Sequence, residues 1–380
     1  MKKIRLWMVC ILIFGVAIIF IGKKEIINAY FSTVKLQFLT NYTSKHYLYD
    51  FKEQTGMEGI YSGYLEGLNN SVTYYLNEDD LKAARAQIKG NYYGTGLKLM
   101  WNLDGHSMMV TDVIKNSPAE RADIQVGDCI TKIDGIKVLP SNENDIIKKA
   151  FSNANLPIQF TIENGDELKE VSLVPEEVSL EDVTLELIDE VMYIKLNTIK
   201  EGTSARLKEM IDEVSTNTYK GMILDVRGLS TDNLEEVCKI SDLFLESGIA
   251  FKEKSKEEHI RIFTTEDGAY DTRMAILMNS STLGGGEALV LALKERATLY
   301  GSDTGGLIYI RKIIGLEDGT GMSVASGTIC DRYGKQLSEE GITPDVTLYL
   351  DEEDQMNKLI NGYISRDEDS YLEYVLEKFQ

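Results

Sequence analysis

The stretch Ala275-Ile276-Leu277-Met278-Asn279-Ser280-Ser281-Thr282-Leu283-Gly284-Gly285-Gly286-Glu287 decides how this chain is read. Its first four residues form a short apolar run with the look of a buried strand. Asn, Ser and Gly then interrupt the run, and residues 288–296 continue as a helix. A second apolar run, Thr298-Leu299-Tyr300, stops at Gly301, and the loop 302–306 leads into Leu307-Ile308-Tyr309-Ile310-Arg311.

The flanks of this strand, turn, helix, strand and loop carry matching signals. Val191-Met192-Tyr193-Ile194-Lys195-Leu196 reads as a strand, 204–214 as a helix, and Gly221-Met222-Ile223-Leu224-Asp225-Val226-Arg227 as a buried strand. Ile240-Ser241-Asp242-Leu243-Phe244-Leu245 lies in a further helix, Gly315-Leu316-Glu317-Asp318-Gly319 makes a hairpin turn, and Gly341-Ile342-Thr343-Pro344-Asp345-Val346 closes the set. Together these segments resemble the carboxyl-terminal processing (tail-specific) serine peptidases, over roughly residues 26–350. In that family the central stretch reads Asn-x-x-Ser-Ala-Ser-Ala-Ser-Glu and is followed by Gly-x-x-Thr-Phe-Gly-Lys-Gly-x-Val-Gln.

Asn279, Glu287, Gly301, Thr304 and Gly306 anchor the resemblance. It then implies that the nucleophile position falls on Gly284, the general-base lysine on Leu307, and the glutamine that holds the lysine on Arg311. A Ser–Lys dyad needs a hydroxyl and a partly desolvated neutral amine. Glycine and leucine supply neither. The family's Asn-Asn-Pro-Gly-Gly oxyanion segment is here Gly228-Leu229-Ser230-Thr231-Asp232, so its Pro-Gly-Gly is missing as well. Three glycines opening a helix leave backbone N–H groups that could hold a carboxylate. They could equally serve to relieve crowding. A relocated nucleophile, Ser280 or Ser281, with Lys294 or Lys312 as base is the alternative that would keep peptidase activity. Helical geometry points Lys294 away from Ser281.

Residues 91–175 resemble a PDZ domain. Tyr93-Gly94-Thr95-Gly96-Leu97 stands where such domains carry a glycine-rich loop beside an exposed strand edge, and Val113-Ile114-Lys115-Asn116-Ser117-Pro118-Ala119-Glu120-Arg121-Ala122-Asp123-Ile124-Gln125-Val126-Gly127-Asp128 follows it. Ser117 is placed to cap a helix whose first residue is Pro118, and Asp123 sits where a left-handed residue is required. Gly94, Thr95, Gly96 and Leu97, with Ile146 and Ala150 on a following helix, are the implied peptide-binding residues.

Residues 1–24 begin with Lys2, Lys3 and Arg5 and run apolar from Leu6 to Gly22, which reads as an uncleaved signal anchor with the bulk of the chain outside the cytoplasm. Residues 26–90 read as helical, with Phe31, Val34, Phe38, Ile60, Tyr64, Leu65 and Leu68 forming a packed core. The net charge of −21 excludes a nucleic-acid partner, whose phosphates would be repelled. Cys10, Cys129, Cys238 and Cys330 lack metal-ligand spacing, and His46, His106 and His259 fall in unrelated contexts, so neither a metal nor a cofactor is implied.

The expected architecture is therefore a multi-domain α+β chain: an N-terminal membrane helix (1–24), a helical segment (25–90), a PDZ domain (91–175), an α/β peptidase-like domain with a mixed sheet (176–350) and a helical tail (351–380). The expected function is a membrane-anchored pseudopeptidase that binds protein C-termini or unstructured peptides without cleaving them, in the company of an active related peptidase. The alternative is an active serine endopeptidase using Ser281.

Overall fold

The computed structural model describes residues 24–102, 106–139, 156–164, 167–215, 218–266, 270–349 and 369–380. The expected membrane helix, the peptide-binding Ile146 and Ala150, and most of the helical tail lie outside the described residues. No helix among the described residues is long and apolar enough to cross a membrane.

The chain divides into two compact units, 1–67 and 68–380. In the first, helix α1 (Lys24–His46) is followed by α2 (Glu53–Glu66). The expected core is not formed here. Of the expected core residues in this unit only Leu65 is buried, while Phe31 is 64%, Phe38 63% and Tyr64 73% exposed, and Val34 and Ile60 are exposed too, as is Leu68 just beyond it. Two helices offer too few facing surfaces to enclose aromatic stripes. Phe38 and Tyr42 instead stack on one another along the helix, ring centroids 5.8 Å apart.

The second unit opens with β1 (Tyr74–Leu76) and α3 (Glu78–Ile88). The helical reading of 26–90 thus needs correction at β1. Its tyrosines suit a pleated strand, and pairing with a distant partner decides the outcome.

The PDZ module comprises β2 (Asn91–Gly94), β3 (Leu97–Trp101), β4 (Met108–Val113), the short helix α4 (Pro118–Arg121), β5 (Cys129–Ile133), β6 (Ile136–Lys137), β7 (Ile158–Asn164), β8 (Glu167–Leu173) and β9 (Glu176–Ser179). Its main sheet runs β3-β4-β5-β7-β8, with β6 paired to β5, while β2 and β9 pair with each other. Ser117 caps α4 by accepting from the Glu120 N–H at 3.3 Å, and Asp123 adopts φ +56°. Val110, Ala119, Ile130, Ile133 and Phe160 fill the core.

Departure and return of the module meet at one residue. A Cβ on Gly90 would lie 2.6 Å from Lys200 Cβ, and Lys200 Nζ donates to the Leu180 carbonyl at 2.7 Å and to Ser179 Oγ at 3.1 Å.

The peptidase-like body follows: β10 (Val183–Ile188), β11 (Val191–Leu196), α5 (Thr203–Val214), β12 (Gly221–Asp225), β13 (Ser230–Thr231), α6 (Leu234–Asp242), β14 (Gly248–Ser255), β15 (Ile260–Thr265), β16 (Met274–Met278), β17 (Leu283–Gly284), α7 (Gly285–Leu293), β18 (Thr298–Gly301), β19 (Tyr309–Gly315), β20 (Gly321–Cys330), β21 (Val346–Thr347) and α8 (Ser370–Glu377). The central sheet has the order β10-β11-β12-β16-β18-β21 and is mixed, because β10 runs antiparallel to β11 and the remaining pairs are parallel. Every residue of β12 and β16 is buried, as strands covered on both faces require. One face packs under α5, α6 and α7, and the other under Leu372, Val375 and Phe379 from α8 and the residues after it. A second, antiparallel sheet orders β1-β20-β14-β15, with β19 on β20, so β1 joins the body from before the PDZ module.

Candidate functional site

The site forms where β16 leaves the sheet. Asn279 Oδ1 accepts from the Gly228 and Ser281 N–H groups, each at 3.1 Å. Thr282 Oγ1 accepts from the Asn279 N–H and donates to the Val226 carbonyl at 2.9 Å, tying the turn to the end of β12. β17 then pairs in parallel with β13, and Gly284 takes φ +56°, ψ −115°, a conformation that costs any residue with a Cβ.

Glu287, fully buried, holds this elbow. Its carboxylate accepts from the Gly284 N–H at 3.0 Å, from Thr304 Oγ1 at 2.6 Å and from the Gly306 N–H at 2.7 Å. Residues that anchor the sequence resemblance at both ends are therefore joined in space. The loop so pinned carries Leu307 to the elbow. A Cβ built on Gly284 would lie 4.0 Å from Leu307 Cδ2 and 3.3 Å from the Thr231 carbonyl oxygen. The two positions that the resemblance assigns to nucleophile and base thus come within contact distance, and glycine and leucine bring neither a hydroxyl nor an amine to them.

Arg311 does not stand beside Leu307 as a holder of an amine. Its guanidinium binds Asp232 Oδ2 at 2.8 Å, Tyr74 Oη at 3.0 Å and Gln87 Oε1 at 3.0 Å. Burial works against its charge, but Asp232 and Tyr74 keep it ionised above the ordinary guanidinium range. It joins the 228–232 segment to β1 and α3.

The three glycines are explained by what covers them. A Cβ on Gly285 would lie 2.5 Å from Thr231 Cγ2, and one on Gly286 2.5 Å from the Leu229 carbonyl oxygen. The strand β13 thus occupies the segment that in the family supplies an oxyanion donor, and it turns carbonyl oxygens towards the elbow. Relief of crowding is the reading these contacts favour over a carboxylate nest, since a carboxylate here would meet oxygens.

Other candidate residues of a relocated dyad are open to solvent. Ser280 and Ser281 are exposed, as are Lys294 and Lys312. In the PDZ module Gly94, Thr95, Gly96 and Leu97 are all buried, and the side chain of Leu97 packs into the module core rather than lining a groove. Main-chain oxygens of the loop are engaged as well: Thr95 accepts from the Ala119 N–H and Gly96 from the Ile114 N–H, each at 2.9 Å. Cys129, Cys238 and Cys330 are free thiols, and among the described residues no group of His, Cys, Asp and Glu could hold a metal ion.

A buried network that sequence reasoning missed supports the floor of the site. Tyr193 Oη donates to Asp225 Oδ2 at 2.7 Å, and Arg227 bridges Asp225, at 2.6 and 2.9 Å, to Asp369, at 2.6 and 3.0 Å. Burial alone would raise the Asp225 carboxyl, but Arg227 and Tyr193 hold it below the usual carboxylate range. The motif Asp225-Val226-Arg227 is visible in sequence; its partners, distant along the chain, are not. Between this network and the PDZ module lies a cavity of about 850 Å³, lined by Tyr92, Asp112, Ile114, Lys195, Asn197 and Arg227 among others.

Comparison with known proteins places this geometry. Residues 190–348 match the model of peptidase family S41, and residues 109–155 match a PDZ domain. A Staphylococcus aureus protein named a probable CtpA-like serine protease is 27% identical over 306 residues, which is 79% of this chain and 61% of that protein. The chain thus spans about three fifths of the length of the curated relatives it matches. Two solved structures share the fold. One is a photosystem II D1 C-terminal processing protease (TM-score 0.53, 22% identity, covering 81% of this chain and 85% of that one). The other is a Bacteroides fragilis protein described as an S41 protease (TM-score 0.57, 15% identity, 83% and 89%). With the elbow, its glutamate clasp and the PDZ module in place, residues 190–348 carry a peptidase family S41 domain beside a PDZ domain, and the chain is similar to the CtpA-like carboxyl-terminal processing serine peptidases.

Proposed function

We propose that the protein is a non-cleaving member of its family, anchored in a membrane by residues 1–24, that holds protein C-termini or unstructured peptides on its PDZ module. One observation carries this reading: Gly284 and Leu307 face each other across the elbow with no hydroxyl or amine between them. The covering of Gly285 and Gly286 by β13 supports it, because the same segment would have to donate to an oxyanion. Binding is supported by β3, which among the described residues pairs with β4 alone and so offers its other edge to an added peptide strand. A silent member of this kind would present substrates to an active relative.

The full-length chain, in detergent, incubated with an unstructured tailed protein tests the proposal. No cleavage is expected while the tailed protein still binds. Turnover that disappears in Ser281→Ala would establish the active-peptidase alternative. The exposed positions of Ser281, Lys294 and Lys312 weigh against it, since a Ser–Lys dyad works in a pocket shielded from water.

A further inference from the structure

Among the described residues two side-chain oxygens are buried without a hydrogen-bond partner, Tyr92 Oη on β2 and Thr95 Oγ1 in the glycine-rich turn that follows it and opens β3. Natural structures rarely leave such groups unsatisfied, so the pair calls for an explanation. The ring of Tyr92 lies on the turn itself: a Cβ on Gly94 would meet Tyr92 Oη at 2.3 Å and Cζ at 2.7 Å. Burial pushes the phenol up in pKa. The nearby Gly96 backbone offsets this only in part, and its approach does not reach hydrogen-bond geometry.

A glycine-rich turn leading into a strand that has no second neighbour among the described residues is suited to the carboxylate of an added peptide. We propose that Tyr92 is an internal occupant of that loop: its phenol oxygen stands over Gly94 where a peptide carboxylate would bind, and the ring must swing out before a free C-terminus is held. The cavity of about 850 Å³ against the peptidase-like body gives it room, since Tyr92 lines it. Ser179, Lys195 and Asn197 on its wall offer polar partners to a displaced phenol, which the plugged position denies. The PDZ module is therefore closed by its own tyrosine, and its affinity for C-termini is reduced by the fraction of molecules in which the ring is out.

This inference rests on the peptide-binding reading above, and one experiment separates the two. Fluorescence anisotropy with the full-length chain would use a labelled unstructured peptide ending in a free-acid valine, and the same peptide amidated. Tyr92→Ala is expected to bind the free acid about tenfold tighter or more, as removal of a dominant closed state requires, with the amide unchanged. Tyr92→Phe is expected to bind the free acid more weakly than the native chain, because a ring without an orphan hydroxyl prefers the plugged position. A residue of purely structural importance would weaken binding in both variants. Equal free-acid affinity in native chain and Tyr92→Ala, or an equal gain for acid and amide, overturns the plug and leaves the peptide-binding reading standing. Absence of binding by every variant removes both. Should Tyr92→Ala fail to fold, Tyr92→Leu takes its place, with unchanged or weaker free-acid binding overturning the plug.

Discussion

Rebuilding the dyad is the most direct test of the site. In the double variant Gly284→Ser, Leu307→Lys, the new Cβ would stand 3.3 Å from the Thr231 oxygen, close enough that the neighbour must give slightly, and 4.0 Å from the former Leu307 Cδ2, an ordinary contact. Forcing a side chain onto φ +56°, ψ −115° costs about 1–3 kcal/mol. A domain stable by about 5–15 kcal/mol tolerates that loss. Lysine, longer than leucine on the same half-buried backbone, can place its amine against the serine hydroxyl. With Thr231 and Leu229 presenting carbonyl oxygens instead of oxyanion donors, turnover should still fall about 10²–10³ below that of a complete site. The assay is cleavage of a fluorogenic unstructured peptide beside labelling by a serine-directed fluorophosphonate, with thermal unfolding recorded on the same sample. Weak cleavage and labelling in the double variant alone are expected. A folded double variant that neither cleaves nor labels would refute the claim that positions 284 and 307 face each other productively.

Three further outcomes follow from the contacts described. Glu287→Ala strands the Gly284 and Gly306 N–H groups and the Thr304 hydroxyl, each at about 1–3 kcal/mol, so its denaturant midpoint should drop far more than that of Glu287→Gln. Arg227→Met leaves Asp225, 0% exposed, without its countercharge and should cost about 3–5 kcal/mol in chemical unfolding; a loss below about 1 kcal/mol would mean the network is not coupled as drawn. Burial, with a hydrogen bond to Asp212, pushes the Tyr270 phenol up to about 12. Because its folded pKa exceeds the unfolded value near 10, the stability it adds is complete below about pH 10 and fades as pH rises towards 12. The ultraviolet phenolate band should show one late-titrating tyrosine missing from Tyr270→Phe.

Much of this was written in local sequence. The apolar runs 221–226 and 274–278 announce strands buried on both faces, and Ser117-Pro118 with Asp123 announces the PDZ turn, because capping and left-handed backbone are decided by residues next to one another. Asn279, Glu287, Thr304 and Gly306 carry the site for a related reason: their hydrogen bonds close a single loop and helix. What failed depends on contacts far along the chain. Tyr74-Tyr75-Leu76 becomes a strand only because β20 is there to pair with it. The aromatic stripe of α1 has the period of a core helix, but periodicity does not say whether a partner surface exists. The role of Arg311 follows from Asp232, Tyr74 and Gln87, none of which its own neighbourhood announces. The crowding of Gly285 and Gly286 is likewise invisible without β13.

The meeting of Gly90, Ser179 and Leu180 at Lys200 has a mechanical consequence. Because the entering and leaving chains are fastened side by side on one residue of the body, the start and the end of the PDZ module are set by the same side chain. A single lysine therefore ties both ends of the inserted module to the body.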